Sequence, residues 1–456
     1  MTTTQSTTTA APSAHGKHWI DDWRPEDGQF WQEKGSAIAK RNLIFSVISE
    51  HIGFSVWSLW SVLVLFLGPE YGINPAQKFL LTALPTLVGA ILRLPYTFAV
   101  AKFGGRNWTI ISALLLLLPT IAIAVVLRPG VSFSTLLLVS TLAGVGGGNF
   151  ASSMANINAY FPSRLKGWAL GVNAGGGNLG VPVVQLVGLL VLATVGVTHP
   201  RVMVAIYIPL ILLAALGAAL TMNNLSGARN AEGAIREVTK HGHTWIISLL
   251  YIGTFGSFIG FSFAFGQVLL VQFPQDFPNP AKAAAVTFIG PLIGSLIRPV
   301  GGALADRYRG SVVTFYNFVA MAVAAVVVLV ASLQKSLPLY AVGFVLLFIF
   351  SGIGNGSVYK MIPAIFHAKA QLETGAGVDL ADANARAIRR AGALIGLAGA
   401  IGAFGGVLVN LAFRQSFLSY KTGDGAYIAF IAFYAICFAV TWTVYIRRGQ
   451  HTLEGV

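Results

Sequence analysis

The sequence predicts an all-α membrane protein of twelve transmembrane helices, arranged as two pseudo-symmetric six-helix bundles. Three observations predict it. The 456 residues are 55% hydrophobic and only 10% charged, with a mean hydropathy of +0.71, whereas a soluble globular chain carries roughly a quarter charged residues. Apolar runs of about 20 residues, the length that crosses a hydrocarbon core, recur twelve times along the chain. Short glycine-containing motifs repeat between the first six runs and the second six.

The first forty residues are polar, with Trp19, Trp23 and Trp31 set among charges. They show no apolar core followed by a small-residue cleavage site, so the first span is expected to act as its own insertion signal. Spans are predicted over 43–67 (α1), 79–101 (α2), 108–127 (α3), 134–160 (α4), 168–195 (α5), 202–222 (α6), 245–271 (α7), 282–304 (α8), 312–332 (α9), 338–362 (α10), 389–413 (α11) and 426–446 (α12). The expected organisation is an N-terminal segment 1–42, a bundle 43–222, a polar linker 223–243, a bundle 244–448 and a tail 449–456. A second long polar loop is expected over 363–388.

An even number of spans puts both chain ends on one face. That face holds 21 of the 30 Lys and Arg residues, the opposite face holds seven, and Arg93 and Arg298 lie inside spans. Basic loops stay in the cytoplasm. Both termini are therefore expected to be cytoplasmic, in a multi-pass protein of the cytoplasmic (inner) membrane. The net charge of +14 does not indicate nucleic acid, because the basic residues sit singly or in pairs between apolar runs. The single cysteine, Cys437, excludes an internal disulfide.

The halves repeat in register. Gly89-Ala-Ile-Leu-Arg93 in α2 answers Gly294-Ser-Leu-Ile-Arg298 in α8, 205 residues on. Gly144-Val-Gly146-Gly-Gly148 in α4 answers Gly352-Ile-Gly354-Asn-Gly356 in α10, 208 residues on. Repeated halves with a site at their junction are a transporter architecture.

Arg93 and Arg298 carry the chemistry. A charged side chain at a helix centre costs about 2.5–3.5 kcal/mol on insertion scales, and arginine cannot shed its proton to avoid that cost. Buried ion pairs would compensate, but Glu50 is the main acid within the spans, and one acid cannot neutralise two arginines. The remaining reading is a small anion held between two planar forks. Polar faces at helical spacing are expected to line a cavity there: Pro85, Gly89, Arg93 and Tyr96 on α2; Asn149, Ser153, Asn156 and Tyr160 on α4; Tyr251, Phe255, Phe258 and Ser262 on α7.

The chain is organised around Gly171-Val-Asn-Ala-Gly175-Gly-Gly177-Asn178-Leu-Gly180 in α5, with a counterpart near 396–406 in α11. Gly175 to Gly180 spells a dinucleotide fingerprint, but no strand or βαβ unit surrounds it, so that reading is discarded. Glycines at small-residue spacing instead allow close helix contact. Glu50 and His51 in α1 are candidates for proton coupling, since intramembrane acids mark proton relays. The alternative for them is a place near the water interface. His241 and His243 lack acids or cysteines at ligand spacing, so no metal site is expected. The chain shows neither a nucleophile–base pair nor a phosphate loop in a supporting context, so it is read as a non-enzyme with no cofactor.

Gly301-Gly-Ala-Leu-Ala-Asp306-Arg307-Tyr-Arg309-Gly310 resembles the loop motif of the major facilitator superfamily, with a degenerate copy at Lys102-Phe-Gly-Gly-Arg106. The chain further resembles the nitrate/nitrite porter family over nearly its whole length. The resemblance rests on Trp23-Arg-Pro-Glu-Asp27, on Thr82-Ala-Leu-Pro85 running to Arg93, and on Asn149-Phe-Ala-Ser-Ser-Met-Ala-Asn156. Gly171–Gly180 resembles the first family signature, and Gly399-Ala-Ile-Gly402-Ala-Phe-Gly405-Gly406 the second.

The resemblance implies that Arg93 and Arg298 bind the anion, that Phe150 and Phe255 sandwich it, and that Asn178 and Tyr251 add hydrogen bonds. It implies import of nitrate by alternating access. Nitrate/proton symport is the leading reading, given the short link 194–201 and Glu50-His51; nitrate/nitrite antiport is the alternative. A nitrate-binding membrane receptor is the reading from another class. Expected partners are nitrate, nitrite, protons and the lipid bilayer, with no nucleic acid and a functional monomer.

Overall fold

The computed structural model describes residues 16–227, 233–447, 453, 455 and 456. Parts of the expected N-terminal segment, linker and tail fall outside the described residues. Among the described residues, twelve helices are long and apolar enough to cross a membrane. They are α1 (Gly28–Phe66), α2 (Pro75–Phe103), α3 (Gly105–Val126), α4 (Phe133–Tyr160), α5 (Ser163–Thr194), α6 (Pro200–Thr221), α7 (Gly242–Gln272), α8 (Pro280–Tyr308), α9 (Gly310–Leu333), α10 (Leu337–Gly375), α11 (Leu380–Tyr420) and α12 (Asp424–Ile446). Large apolar side chains such as Leu138, Leu213 and Leu220 remain exposed, as expected of a surface solvated by lipid.

The loop expected over 363–388 is instead helix. α10 continues to Gly375 and α11 starts at Leu380, so only a tight turn separates them. Hydropathy ends a span where polar residues begin, but the backbone needs only helix formers to continue. Ala364, Ala368, Ala370, Ala383, Ala385 and Ala387 supply them. The Asp379 side chain accepts from the backbone N–H groups of Ala381 and Asp382 and starts α11. α1 likewise starts earlier than expected, because Asp27 caps its first turn through Gln29 and Phe30.

The internal repeat is built in close contacts. A Cβ added at Gly144 would stand 2.9 Å from the Gly89 nitrogen, and one at Gly352 would stand 2.3 Å from the Gly294 oxygen. The same small residues thus bring α2 against α4 and α8 against α10. The second bundle repeats the first at the turns as well: α3 is entered through Gly104 at φ 86° and α9 through Arg309 at φ 73°.

On the face opposite the chain ends, the halves are joined. The Thr82 hydroxyl donates to Asn410 Oδ1 at 2.7 Å, and Gln185 Nε2 donates to the Ser262 carbonyl at 2.8 Å. Phe79 stacks on Phe413 and Phe417 at 6.1 and 5.7 Å, and Trp57 meets Phe263 edge-on. On the face that carries the ends, strand β1 (Trp19–Ile20) pairs in parallel with β2 (Asn224–Leu225), tying the N-terminal segment to the start of the linker. Glu26 accepts from both the N–H and the hydroxyl of Ser163, capping α5.

Candidate functional site

Arg93 is fully buried, and backbone carbonyls rather than a carboxylate hold it. Its Nε donates to Gly147 O at 3.2 Å and its Nη1 to Gly399 O at 2.6 Å. The guanidinium lies over three rings: Phe150 at 4.6 Å, Phe255 at 5.0 Å and Trp57 at 5.4 Å. Hydrogen bonds to a charged group contribute about 1.5–3 kcal/mol each, and desolvated cation–π contacts add roughly 0.5–2 kcal/mol. Together these offset the ~2.5–3.5 kcal/mol insertion cost, which explains how the charge is tolerated without an acid.

Arg298 is less well compensated. Its Nη2 donates to the Tyr251 hydroxyl at 3.3 Å, and its guanidinium lies 5.2 Å from the Tyr359 ring centre. Among the described residues, Arg93 Nη2 and Arg298 Nη1 are buried without a hydrogen-bond partner. A continuous aromatic stack joins the two arginines. Phe150 lies 6.2 Å from Phe255, Phe255 lies 5.0 Å from Tyr251 with the planes only 5° apart, and Tyr251 lies 4.6 Å from Tyr359.

Local backbone departures position these rings. A tight 3-10 stretch, Ala143–Gly148, precedes Phe150 in α4, and a π-helical turn, Ile252–Gly256, contains Phe255 in α7. Such turns rotate the residues that follow and recur at functional sites.

The arginines, Phe150, Phe255 and Tyr251 therefore meet at the junction of the halves, as expected. The α4 face does not. A cavity of about 340 Å³ is lined on α4 by Phe150, Met154 and Asn158, about one residue around the helix from the predicted polar face. That polar face packs inside the first bundle instead. Ser153 donates to Glu50, the Tyr160 hydroxyl donates to Asn223 O at 2.6 Å, and Asn156 packs where a Cβ on Gly105 would collide with it. The α2 face is also internal in part, since Gly89 meets Trp57 and Gly147 while Tyr96 covers Gly148. On α7, Phe258 stacks on Phe255 and meets Phe348 edge-on, and the Ser262 hydroxyl bonds its own helix at Phe258 O. The cavity is lined also by Thr97 and Phe98 in the C-terminal part of α2, Asn158 in the last turn of α4, Ala234 and Ile235 of the linker and the first turns of α11 from Ala385, which lie toward the face carrying the chain ends.

Glu50 is fully buried, so the water-interface alternative for it fails. Its Oε2 accepts from Ser153 and, at 2.6 Å, from Asn173 Nδ2. His51 Nδ1 lies 3.1 Å from Gly176 O. Asn178 is buried, and neither atom of its amide has a partner among the described residues. The first signature glycines divide into two groups. Gly176, Gly177 and Gly180 press on Val47, Glu50 and His51 of α1, whereas a Cβ on Gly171 or Gly175 would meet nothing within 4 Å. Close packing therefore does not account for Gly171 and Gly175. The second signature presses on α7: Gly402 on Tyr251, Gly405 on Gly256, and Gly406 on Ile259. Gly399 lies beneath Tyr359 and Arg93.

Two residues at the centre escaped the sequence reading. Trp57 donates from Nε1 to Pro85 O at 2.8 Å and lies under Arg93. Tyr359 lies under Arg298, and its hydroxyl donates to Ile395 O of α11 at 3.2 Å. The internal repeat could have found Tyr359, because the 208-residue register places it opposite Ala151, next to Phe150.

At the cavity mouth, the short linker helix Ala234–Val238 meets the start of α11. Glu237 accepts from Arg390 Nε at 2.6 Å and Arg389 Nη2 at 3.3 Å, and Glu373 accepts from Arg390 Nη1 at 2.5 Å. Burial pushes the Glu237 carboxyl up, and its bonds to Arg390 and Arg389 more than reverse this, so it titrates below the ordinary carboxylate range. His241 lies 3.3 Å from Lys369, and burial together with that charge lowers its affinity for a proton. His243 pairs with the Tyr445 hydroxyl at 3.0 Å.

A family model described as Major Facilitator Superfamily matches residues 51–408. The chain is 38% identical to a nitrate/nitrite transporter NarU of Salmonella typhimurium, covering 95% of this chain and 97% of that one. It is 33% identical to a probable nitrate/nitrite antiporter NarK2 of Thermus thermophilus, covering 94% and 97%. Among solved structures it is similar to the Escherichia coli xylose transporter XylE in a partially occluded inward-open conformation. That match has a TM-score of 0.64 at 13% identity and covers 89% of this chain and 98% of the other; at that identity the likeness concerns the fold.

Proposed function

The chain belongs to the Major Facilitator Superfamily, within its nitrate/nitrite transporter family, and on that footing we propose that it imports nitrate across the cytoplasmic membrane by alternating access. One observation carries the reading. Two buried arginines, each with an unpartnered N–H, flank one aromatic stack at the junction of the halves. A planar monovalent oxyanion suits forked donors and flat walls. The arginines, Asn178 and Tyr251 supply the donors, and Phe150 and Phe255 the walls. A flat ion between two rings needs about 7 Å, twice a 3.5 Å contact, while these centroids stand 6.2 Å apart. The rings therefore part as the anion arrives.

The anion offsets the repulsion of the two guanidinium groups and lets the halves close over it. The glycine contacts of α5 on α1 and of α11 on α7 are the surfaces that slide. Both termini face the cytoplasm, so the present cavity is the release path. One chain contains the whole site, so a monomer suffices.

Nitrate influx against an inside-negative potential costs about 2.3 kcal/mol per 100 mV. Proton symport through Glu50 answers that cost, since two protons per nitrate let the potential drive influx. Nitrate/nitrite antiport is the second reading, and it is favoured by the relative named as a probable nitrate/nitrite antiporter. Proteoliposomes free of internal nitrite and carrying an internal pH dye separate the two. Symport gives nitrate uptake with internal acidification, abolished by Glu50→Gln. Uptake only after nitrite loading, with no acidification, establishes exchange and overturns symport.

A further inference from the structure

The cavity ends in charge at both extremes. Its inner end is Phe150, beneath the Arg93 guanidinium, and its outer end reaches Arg389, the one charged side chain in the lining among the described residues. Between them the walls are Met154, Leu170, Ile395 and other largely apolar residues. A bare anion leaving the central arginines loses their field before it reaches water, so the path favours a positive residue near the exit.

Arg389 is free to serve. Glu237 is shared between two arginines, and Arg390 holds it more closely, at 2.6 Å against 3.3 Å for Arg389. Arg390 is anchored a second time by Glu373, which Arg386 also approaches at 3.3 Å. Three guanidinium groups thus face two carboxylates, and of the two that make only a single 3.3 Å contact, Arg386 and Arg389, it is Arg389 that lines the cavity. The Arg389 side chain is 45% exposed, and an exposed, long ion pair is weak. Arg389 can turn from Glu237 to an anion while Arg390 keeps Glu237 paired.

We propose that Arg389 is a second anion-binding residue, a way-station between the central arginines and water that takes the same class of small monovalent oxyanion. The proposal rests on the transport reading above and adds a residue to it. Glu237 acts as the internal competitor that keeps occupancy of the way-station brief.

The test is nitrate exchange by the full-length protein in proteoliposomes of determined orientation. Potassium gluconate is varied on one face at a time, with osmolarity balanced. At low salt, Arg389→Gln is expected to exchange about tenfold more slowly than the parent, the low end of electrostatic steering. It is also expected to lose most of the salt dependence on the face carrying the chain ends, while keeping that on the opposite face. Arg389→Lys retains both properties. Glu237→Gln, which releases Arg389 while Glu373 still holds Arg390, exchanges faster than the parent at low salt. If Arg389→Gln and Glu237→Gln shift the rate in the same direction, or Arg389→Gln keeps the parental salt dependence, the pair is a structural latch and the way-station is overturned. A parent that moves no nitrate overturns the transport reading itself, and the way-station with it.

Discussion

Arg93 of the first bundle donates from Nη1 to the carbonyl of Gly399 in the second, at 2.6 Å. Its Nε is bonded at the same time to Gly147 O of its own bundle. One planar group therefore spans the junction, and the carbonyl it reaches belongs to the first glycine of the second signature. A lysine has a single charged point and cannot hold both carbonyls and an anion. Arg93→Lys and Arg298→Lys are each expected to lower nitrate kcat/KM by about 100-fold, the equivalent of one strong charged hydrogen bond. Initial uptake rates check this, and near-parental kinetics in both variants contradict it.

Tyr359 separates ring from hydroxyl. Tyr359→Phe keeps the face under Arg298 and loses the hydroxyl's bond to Ile395 O, a neutral hydrogen bond of ~1 kcal/mol or about fivefold. Tyr359→Ala also uncovers the Arg298 guanidinium, and its nitrate KM is expected to rise well beyond that of Tyr359→Phe. Equal effects of the two variants would place the role in the hydroxyl alone.

The signature glycines make a graded series. A Cβ at Gly402 would stand 2.3 Å from the Tyr251 ring, and one at Gly177 would stand 2.2 Å from Glu50 Oε1. Glu50 is buried and held by Ser153 and Asn173, so neither neighbour yields easily. Gly402→Ala and Gly177→Ala are expected to lose transport. Gly175→Ala meets open space, and as an exchange of Gly for Ala within a helix it is expected to gain up to about 1 kcal/mol of stability. Thermal melting and uptake of the three variants check the order.

That series also shows what the sequence could and could not disclose. The twelve spans were legible because hydropathy and bilayer thickness share one length scale. The two arginines were legible because a charge in a span demands a partner. The repeat of these glycine motifs was legible too, although the contacts of Gly89 with Gly144 and of Gly294 with Gly352 emerged only from the fold. The wall of the cavity was not legible. Ser153 and Phe150 differ by three positions on one helix, and polarity pointed to Ser153, which the buried Glu50 claims, while the cavity face is the apolar one. Gly171 and Gly175 looked like their neighbours, since spacing alone does not tell which glycine faces a partner. The ends of α10 and α11 were misjudged because polar residues end a span without ending a helix.

The ion pairs of the linker carry a pH dependence. The Glu237 carboxyl lies below its ordinary value of 4.5, so its bonds to Arg389 and Arg390 are fully present above that value. They are lost as pH falls through the lowered one. Hydrogen exchange of the helix Ala234–Val238 is expected to be constant from neutral pH down to 4.5 and to lose protection below it, after correction for the intrinsic exchange rate. Loss of protection already near pH 6 would mean that another group holds the helix.

Equilibrium counterflow of labelled nitrate tests the central claim most directly. Proteoliposomes are loaded with unlabelled nitrate and diluted into labelled nitrate, with no proton gradient or potential. The account predicts a transient, saturable overshoot of label in the parent, and none in Arg298→Lys. No overshoot in the parent, or a parental overshoot in both Arg93→Lys and Arg298→Lys, would contradict a carrier that alternates around two arginines.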